Sequence, residues 1–232
     1  GWYLCDLGED DGLACEMVAG TDSGTKRTGS TGVCIERDDA ACKRYLVIGG
    51  NLSGKASDLA ELFDATTGTV TKLAGTADSP KYLTRQAGAL AGGKILLFGG
   101  QTKASAVDAQ PMLVTIDAAK GTVAVAKALA TDSVDALRLF HTATVLADGS
   151  SVLVTGGVDS AFAPVASALL FEVGSTGKLV QKTKISMATA RVGHAATLLT
   201  GGVLEGSVLL TGGLVSLEKI PRFAEGAEIF VP

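Results

Sequence analysis

Four times along the chain a run of four mostly apolar residues ends in Gly-Gly: "YLVIGG" at 45–50, "ILLFGG" at 95–100, "VLVTGG" at 152–157 and "VLLTGG" at 208–213. Runs this short, apolar at successive rather than alternate positions, predict strands covered on both faces. The pairs Gly49–Gly50, Gly99–Gly100, Gly156–Gly157 and Gly212–Gly213 fall where each strand ends. Glycine there predicts positive φ, or a neighbouring segment too close for a Cβ. The pairs recur at intervals of 50, 57 and 56 residues, so the chain reads first of all as a repeat.

Two further markers keep the same register. Arg27, Arg85, Arg138 and Arg191 open the stretches "RTGSTGVCI", "RQAGALAGG", "RLFHTATVL" and "RVGHAATLL". After each Gly pair come "ELFDATTGTVTKL", "LVTIDAAKGTVAVAKAL", "LLFEVGSTGKLVQKTKI" and "AEIFVP". Each repeat therefore carries up to four strand signals. One follows the Arg, one runs into Gly-Gly, one spans the "ELFD"-like stretch, and one follows a Thr-Gly or Lys-Gly turn. Short strands joined by such turns form an antiparallel meander. "KASDLAELFDATTG" is the best helix candidate, but its counterparts in the other repeats read as strand.

These co-registered motifs resemble the kelch repeat, in its bacterial form, where Arg-x-x-His-x-Ala-Thr-x-Leu leads to an apolar strand ending in Gly-Gly and then to an "ElfD" strand. The match is closest at residues 138–172 and 191–230. It is looser at 27–64 and 85–128, where Ser30 and Gly88 replace the His. The resemblance implies an all-β fold, a β-propeller in which each repeat is one four-stranded antiparallel blade. Residues 1–232 would then form a single monomeric domain of four blades, the alternatives being a fragment of a larger propeller or two chains paired into a bigger ring. "GWYLCD" reads as a last strand without a third strand before it, and "AEIFVP" as a third strand without a fourth. The expectation is that residues 2–7 pair with residues 226–231, complete the last blade and close the ring.

Composition narrows the class. Apolar residues make up 47% and charged residues 19%, enough for a sizeable core. A net charge of −4 and a single Trp give no basic footprint for nucleic acid. No apolar run reaches the ~18 residues of a membrane span. The first residue is Gly rather than Met and no signal segment follows it, so a chain processed or excised from a longer one is expected. All four Cys (Cys5, Cys15, Cys34 and Cys42) lie in the first fifth of the chain. An even, clustered count predicts two disulfides and an exported protein, secreted, on the cell surface, periplasmic or outer-membrane-associated. Cys34 and Cys42 flank the first hairpin turn, and Cys5 and Cys15 would pin the loop at 8–29 that follows the first strand. Their spacing lacks the Cys-x-x-Cys pair that starts a zinc site.

Candidate chemistry is sparse. His141 and His194, the only histidines, stand at equivalent repeat positions, which predicts a scaffold role. Each repeat Arg is expected to pair with an acid on its third strand: Asp64, Asp117, Glu172 or, in the last repeat, Glu228. The acidic stretch "DLGEDDG" lacks the spacing of a calcium loop. No Gly-x-Ser-x-Gly elbow is present. The Tyr, Cys and paired His of copper radical oxidases and the Asp box of sialidase-like propellers do not fit either. No catalytic residue, cofactor or metal is expected. The expected function is a binding or scaffolding module recognising a protein or glycan through its longer loops. Lys103, Phe162, Arg222 and Phe223 are its candidate contacts, since loops on a rigid scaffold carry binding residues and aromatic and Arg side chains dominate hot spots. The alternatives are a carbohydrate-active or oxidase-like enzyme domain and a structural subunit of a surface assembly.

Overall fold

The first hairpin, β1 (Tyr3–Leu7) with β2 (Leu13–Met17), precedes four successive meanders. The first sheet contains β3 (Thr31–Arg37) and β4 (Cys42–Ile48). A small hairpin follows, β5 (Asn51–Leu52) with β6 (Lys55–Ala56), and then β7 (Ala60–Asp64) and β8 (Thr69–Gly75). The second sheet is β9 (Ala87–Ala91), β10 (Lys94–Phe98), β11 (Met112–Asp117) and β12 (Thr122–Lys127). The third is β13 (Thr142–Val145), β14 (Ser151–Thr155), β15 (Ser167–Val173) and β16 (Leu179–Ser186). The fourth has β17 (Ala195–Leu198) and β18 (Val208–Thr211), then a hairpin of β19 (Leu214–Ser216) with β20 (Arg222–Phe223), and finally β21 (Ala227–Phe230). This computed structural model describes residues 3–7, 13–17, 28–38, 41–52, 55–57, 59–75, 87–101, 107, 110–129 and 133–232. The chain is all-β there, with one 3-10 turn at Val134–Ala136.

Within each meander, neighbouring strands pair antiparallel in sequence order. A short parallel contact between β8 and β12, Thr122 opposite Ala74 and Val123 opposite Gly75, joins the first two meanders into one eight-stranded sheet. The meanders stack face to face, and alternation along each second strand assigns its side chains to two different interfaces. On β10, Leu97 packs with Leu46, Ile48 and Val114 between the first and second sheets, whereas Leu96 and Phe98 turn to the third sheet. There Phe98 meets Phe171 at a ring separation of 5.6 Å. On β14, Val152 and Val154 face the second sheet and Leu153 faces Val208 and Leu210 of the fourth. This explains the continuous apolar runs: a strand with a sheet on either side has no solvent face to make polar. Burying one such Leu side chain stabilises by about 2–3 kcal/mol. The first strands lie innermost, β3 against β9, β9 against β13 and β13 against β17.

Among the described residues the expected pairing of the first strand with residues 226–231 is not seen. Residues 3–7 pair with residues 13–17, from Tyr3 opposite Met17 to Leu7 opposite Leu13. Among the described residues the fourth sheet has three strands, with β21 paired to β18. A hairpin across a five-residue connection costs far less chain entropy than a pairing between the two ends of the chain. The region expected as a loop at 8–29 accordingly contains a strand. No buried apolar cluster joins the fourth sheet to the first among the described residues. Gly49, Gly99 and Gly156 are buried, but Gly212, their equivalent, is exposed.

Cys34 and Cys42 form a disulfide across the β3–β4 hairpin, with Cα atoms 5.8 Å apart. Cys5 and Cys15 stand opposite each other in the β1–β2 backbone register, and their side chains lie outside the described residues.

Candidate functional site

The Gly pairs and the repeat Arg and His residues form one recurring junction. The two glycines of a pair serve different neighbours. A Cβ on Gly156 would overlap the Arg191 carbonyl and come within 2.8 Å of His194 Cε1, both from the following repeat. A Cβ on Gly157 would instead strike the Leu139 carbonyl and the Cβ of His141, in its own repeat. Both have positive φ, 58° and 89°, so neither accepts a side chain. The segment from Arg to His in one repeat is thus clamped between its own second glycine and the first glycine of the repeat before.

Each described repeat Arg closes the neck of the long connection between second and third strands. Arg138 is 2% exposed, and its Nη1 donates to the carbonyls of Gly156 at 3.0 Å and Ser167 at 2.7 Å. Its Nη2 donates to Ser167 Oγ at 2.8 Å and its Nε to the Asp135 carbonyl at 2.8 Å. Arg191, 1% exposed, donates from Nη1 to Gly212, from Nη2 to Gly226 and from Nε to Glu228 Oε1 at 3.1 Å. Of the two described repeat Arg residues, Arg191 alone has its expected acid partner, Glu228. Glu172 pairs with Lys182 at 2.6 Å and Asp117 with Lys120 at 2.9 Å. Asp64 pairs with Arg44 and accepts hydrogen bonds from Thr66 and Thr67 in its own turn, and the Thr66 hydroxyl is the main cause of a carboxyl held down at about 2. These three acids sit at the far end of the third strand, a strand's length from the loop neck. Arg27 and Arg85 lie outside the described residues.

His141 and His194 are both buried. Nε2 of His194 bonds the hydroxyls of Thr155 at 2.7 Å and Thr142 at 3.2 Å, bridging the third and fourth repeats. The ring nitrogens of His141 have no well-formed hydrogen bond. Burial, then the adjacent Arg138 cation, depresses His141 to about 3, and burial, then Arg191, depresses His194 to about 4. Both rings are neutral at pH 7. No group of three or more His, Cys, Asp or Glu side chains is placed to hold a metal among the described residues.

Where they are described, the second-to-third-strand connections pair with the segments that lead into the first strands. Leu139 pairs with Val158 and Val192 with Leu214 through backbone bonds. Beneath them Val107, Leu139, Val158 and Val192 make a separate small core. Phe162 stands at the tip of the 158–164 hairpin, 40% exposed, held by Asp159, whose carboxylate accepts from the Ala161 and Ala163 amides. Arg222 and Phe223 are exposed on β20 and rim a hollow of about 570 Å³ with Thr189, Val215, Pro221 and Glu225. The hollow brings Arg222 and Phe223 together, while Phe162 belongs to a different hairpin. Lys103 lies outside the described residues. Phe140 is an unforeseen member. It is 40% exposed at φ 55°, the conformation that Gly29 and Gly193 adopt at the same repeat position, and Phe162 has φ 59°. Two exposed aromatic residues in the left-handed region are a marked departure for non-glycine residues. The aligned "RLFH" and "RVGH" carried that signal.

Along the innermost strands, a cavity of about 500 Å³ is lined by residues of β3, β9, β13 and β17, from Gly32, Gly88 and Ala143 near their starts to Arg37 and Leu198 at their ends. The small residues Gly32, Gly88 and Ala143 were its sequence signal. No protein-family model matches the chain, and no curated protein matches it.

Proposed function

We propose that this chain is a kelch-type β-propeller built from four repeats, acting as a non-catalytic binding or scaffolding module of a secreted or cell-surface protein. The propeller reading is supported by the face-to-face stacking, the innermost first strands and the Arg–His–Gly-Gly junction shared by successive repeats. A disulfide at Cys34–Cys42 fits an oxidising compartment. The partner is a protein or glycan that docks on the long-connection face.

One observation carries the binding reading. Phe140 and Phe162 present exposed rings on backbone tied down by hydrogen bonds, the Phe140 carbonyl accepting from Gly193 N–H and Phe162 N–H donating to the Asp159 carbonyl, in a conformation that aromatic residues rarely adopt. A fold that keeps exposed aromatics in strained, ordered positions retains them for contact rather than for packing. Phe223, 76% exposed beside Arg222, extends the surface to the fourth repeat.

The test is retention of partners from the native source on immobilised protein, identified by mass spectrometry. The variant Phe140→Gly, Phe162→Ala, Arg222→Ala, Phe223→Ala should keep the melting temperature and lose the retained species. Undiminished retention by that variant would overturn the assignment of this face.

A further inference from the structure

We propose that the cavity at the centre of the four innermost strands is a second ligand site, and that it takes a small apolar molecule bearing one carboxylate. This site is lined by the innermost strands and not by the connections that carry the exposed aromatics, and the inference does not rest on the partner-binding reading.

The chemistry follows from the lining. β3, β9, β13 and β17 each contribute, through residues such as Val33, Leu90, Val145 and Leu198. The volume, about 500 Å³, falls within the about 300–1,000 Å³ typical of small-molecule pockets. Apolar walls favour an apolar body, since burial of such surface is the main gain available there. Arg37, at the end of β3, is the one charged residue in the lining, and it is exposed to solvent. Its neighbours in sequence are already committed: Glu36 pairs with Arg44 at 3.4 Å and Asp38 with Lys43 at 3.1 Å. Arg37 has no ion-pair partner among the described residues. A guanidinium with no ion-pair partner among the described residues, at the rim of an apolar cavity, selects a planar anion that it can hold with two parallel hydrogen bonds. A carboxylate supplies that geometry and one matching charge, while its hydrocarbon body occupies the cavity.

Gly32 offers a clean way to block the site. It lines the cavity, a Cβ there would meet nothing within 4 Å, and its φ lies outside the left-handed region. A larger side chain at this position enters empty space without straining the backbone. Gly88, another lining residue, would by contrast clash with Val33 and Thr31.

The experiment is calorimetric titration of the whole chain with decanoate, with decanol and decyltrimethylammonium as matched neutral and cationic probes. The expected result is saturable binding of decanoate at one site, with decanol weaker by about tenfold and the cation weaker still. Gly32→Leu should abolish decanoate binding at an unchanged melting temperature. Arg37→Gln should weaken decanoate about tenfold, leave decanol unchanged and so remove the preference for the acid. If Gly32→Leu fails to fold, the surface substitution Arg37→Gln decides alone. Absence of saturable decanoate binding, equal binding of acid and alcohol, or binding indifferent to the substitution at Arg37 would each overturn the proposal.

Discussion

At the residue scale, Gly99 and Gly156, each the first glycine of its pair, are sockets for the next repeat. Gly156 is filled by the Arg191 carbonyl and the His194 ring, whereas a Cβ on Gly212 would meet nothing within 4 Å. Both have positive φ, 58° and 67°. Gly212→Ala should therefore cost only the left-handed penalty, about 1–2 kcal/mol. Gly156→Ala adds a backbone collision and displacement of a buried ring, and should cost upward of about 4 kcal/mol or prevent folding. Urea denaturation of the two variants checks the contrast; equal losses would refute the socket reading. Both repeat histidines were legible as equivalents in the sequence. That their rings press on the glycine of the preceding repeat was not, because the contact spans a separation no local pattern encodes.

At the element scale, the β3–β4 hairpin differs from its counterparts in having a covalent staple. Cys34 and Cys42 close a short loop, which limits the unfolded-state entropy the bridge removes. The double replacement Cys34→Ser, Cys42→Ser should lower stability by about 2–3 kcal/mol. Its effect on hydrogen exchange should be strongest in β3 and β4 and weak in β14 and β15, which are sealed between two sheets. Exchange that accelerates uniformly would show that the four meanders open as one unit. β1 shows how an element can be legible in kind and still be misplaced. Strand character at 3–7 follows from local preference, but its partner was a choice between a nearby segment and a distant edge.

At the scale of the whole molecule, the buried histidines link stability to pH. An unfolded His titrates near about 6.5, while His194 and His141 in the folded chain titrate near about 4 and about 3. Above pH ~6.5 neither state binds the protons and the full stability is present. Below it the unfolded chain is protonated first, so stability falls with pH until the folded values are passed. Each unit of depression corresponds to about 1.4 kcal/mol. Denaturation midpoints measured from pH 7 to pH 4 should drop steadily, and His194→Gln should flatten part of that slope. A midpoint independent of pH across this window would contradict neutral burial of the rings.

The sequence by itself determined the strands that recur in each repeat, their order within each meander and the repeat length, and it pointed to the Cys34–Cys42 bridge among three possible connectivities. These depend on short-range preferences, turn chemistry and spacing, all of which act within one repeat. It also marked the repeat Arg and His positions, though not their partners. Only the tertiary structure decided that Arg138 and Arg191 close loop necks mostly through backbone carbonyls, which carry no side-chain signature. It likewise decided that β1 joins β2 and that the fourth sheet has three strands among the described residues. It set Phe140 in a glycine's conformation, and it gathered Gly32, Arg37 and three other strands around one cavity. Those outcomes rest on contacts between repeats, where the free energy of long-range packing and loop closure, rather than local pattern, selects among arrangements the same strands would allow.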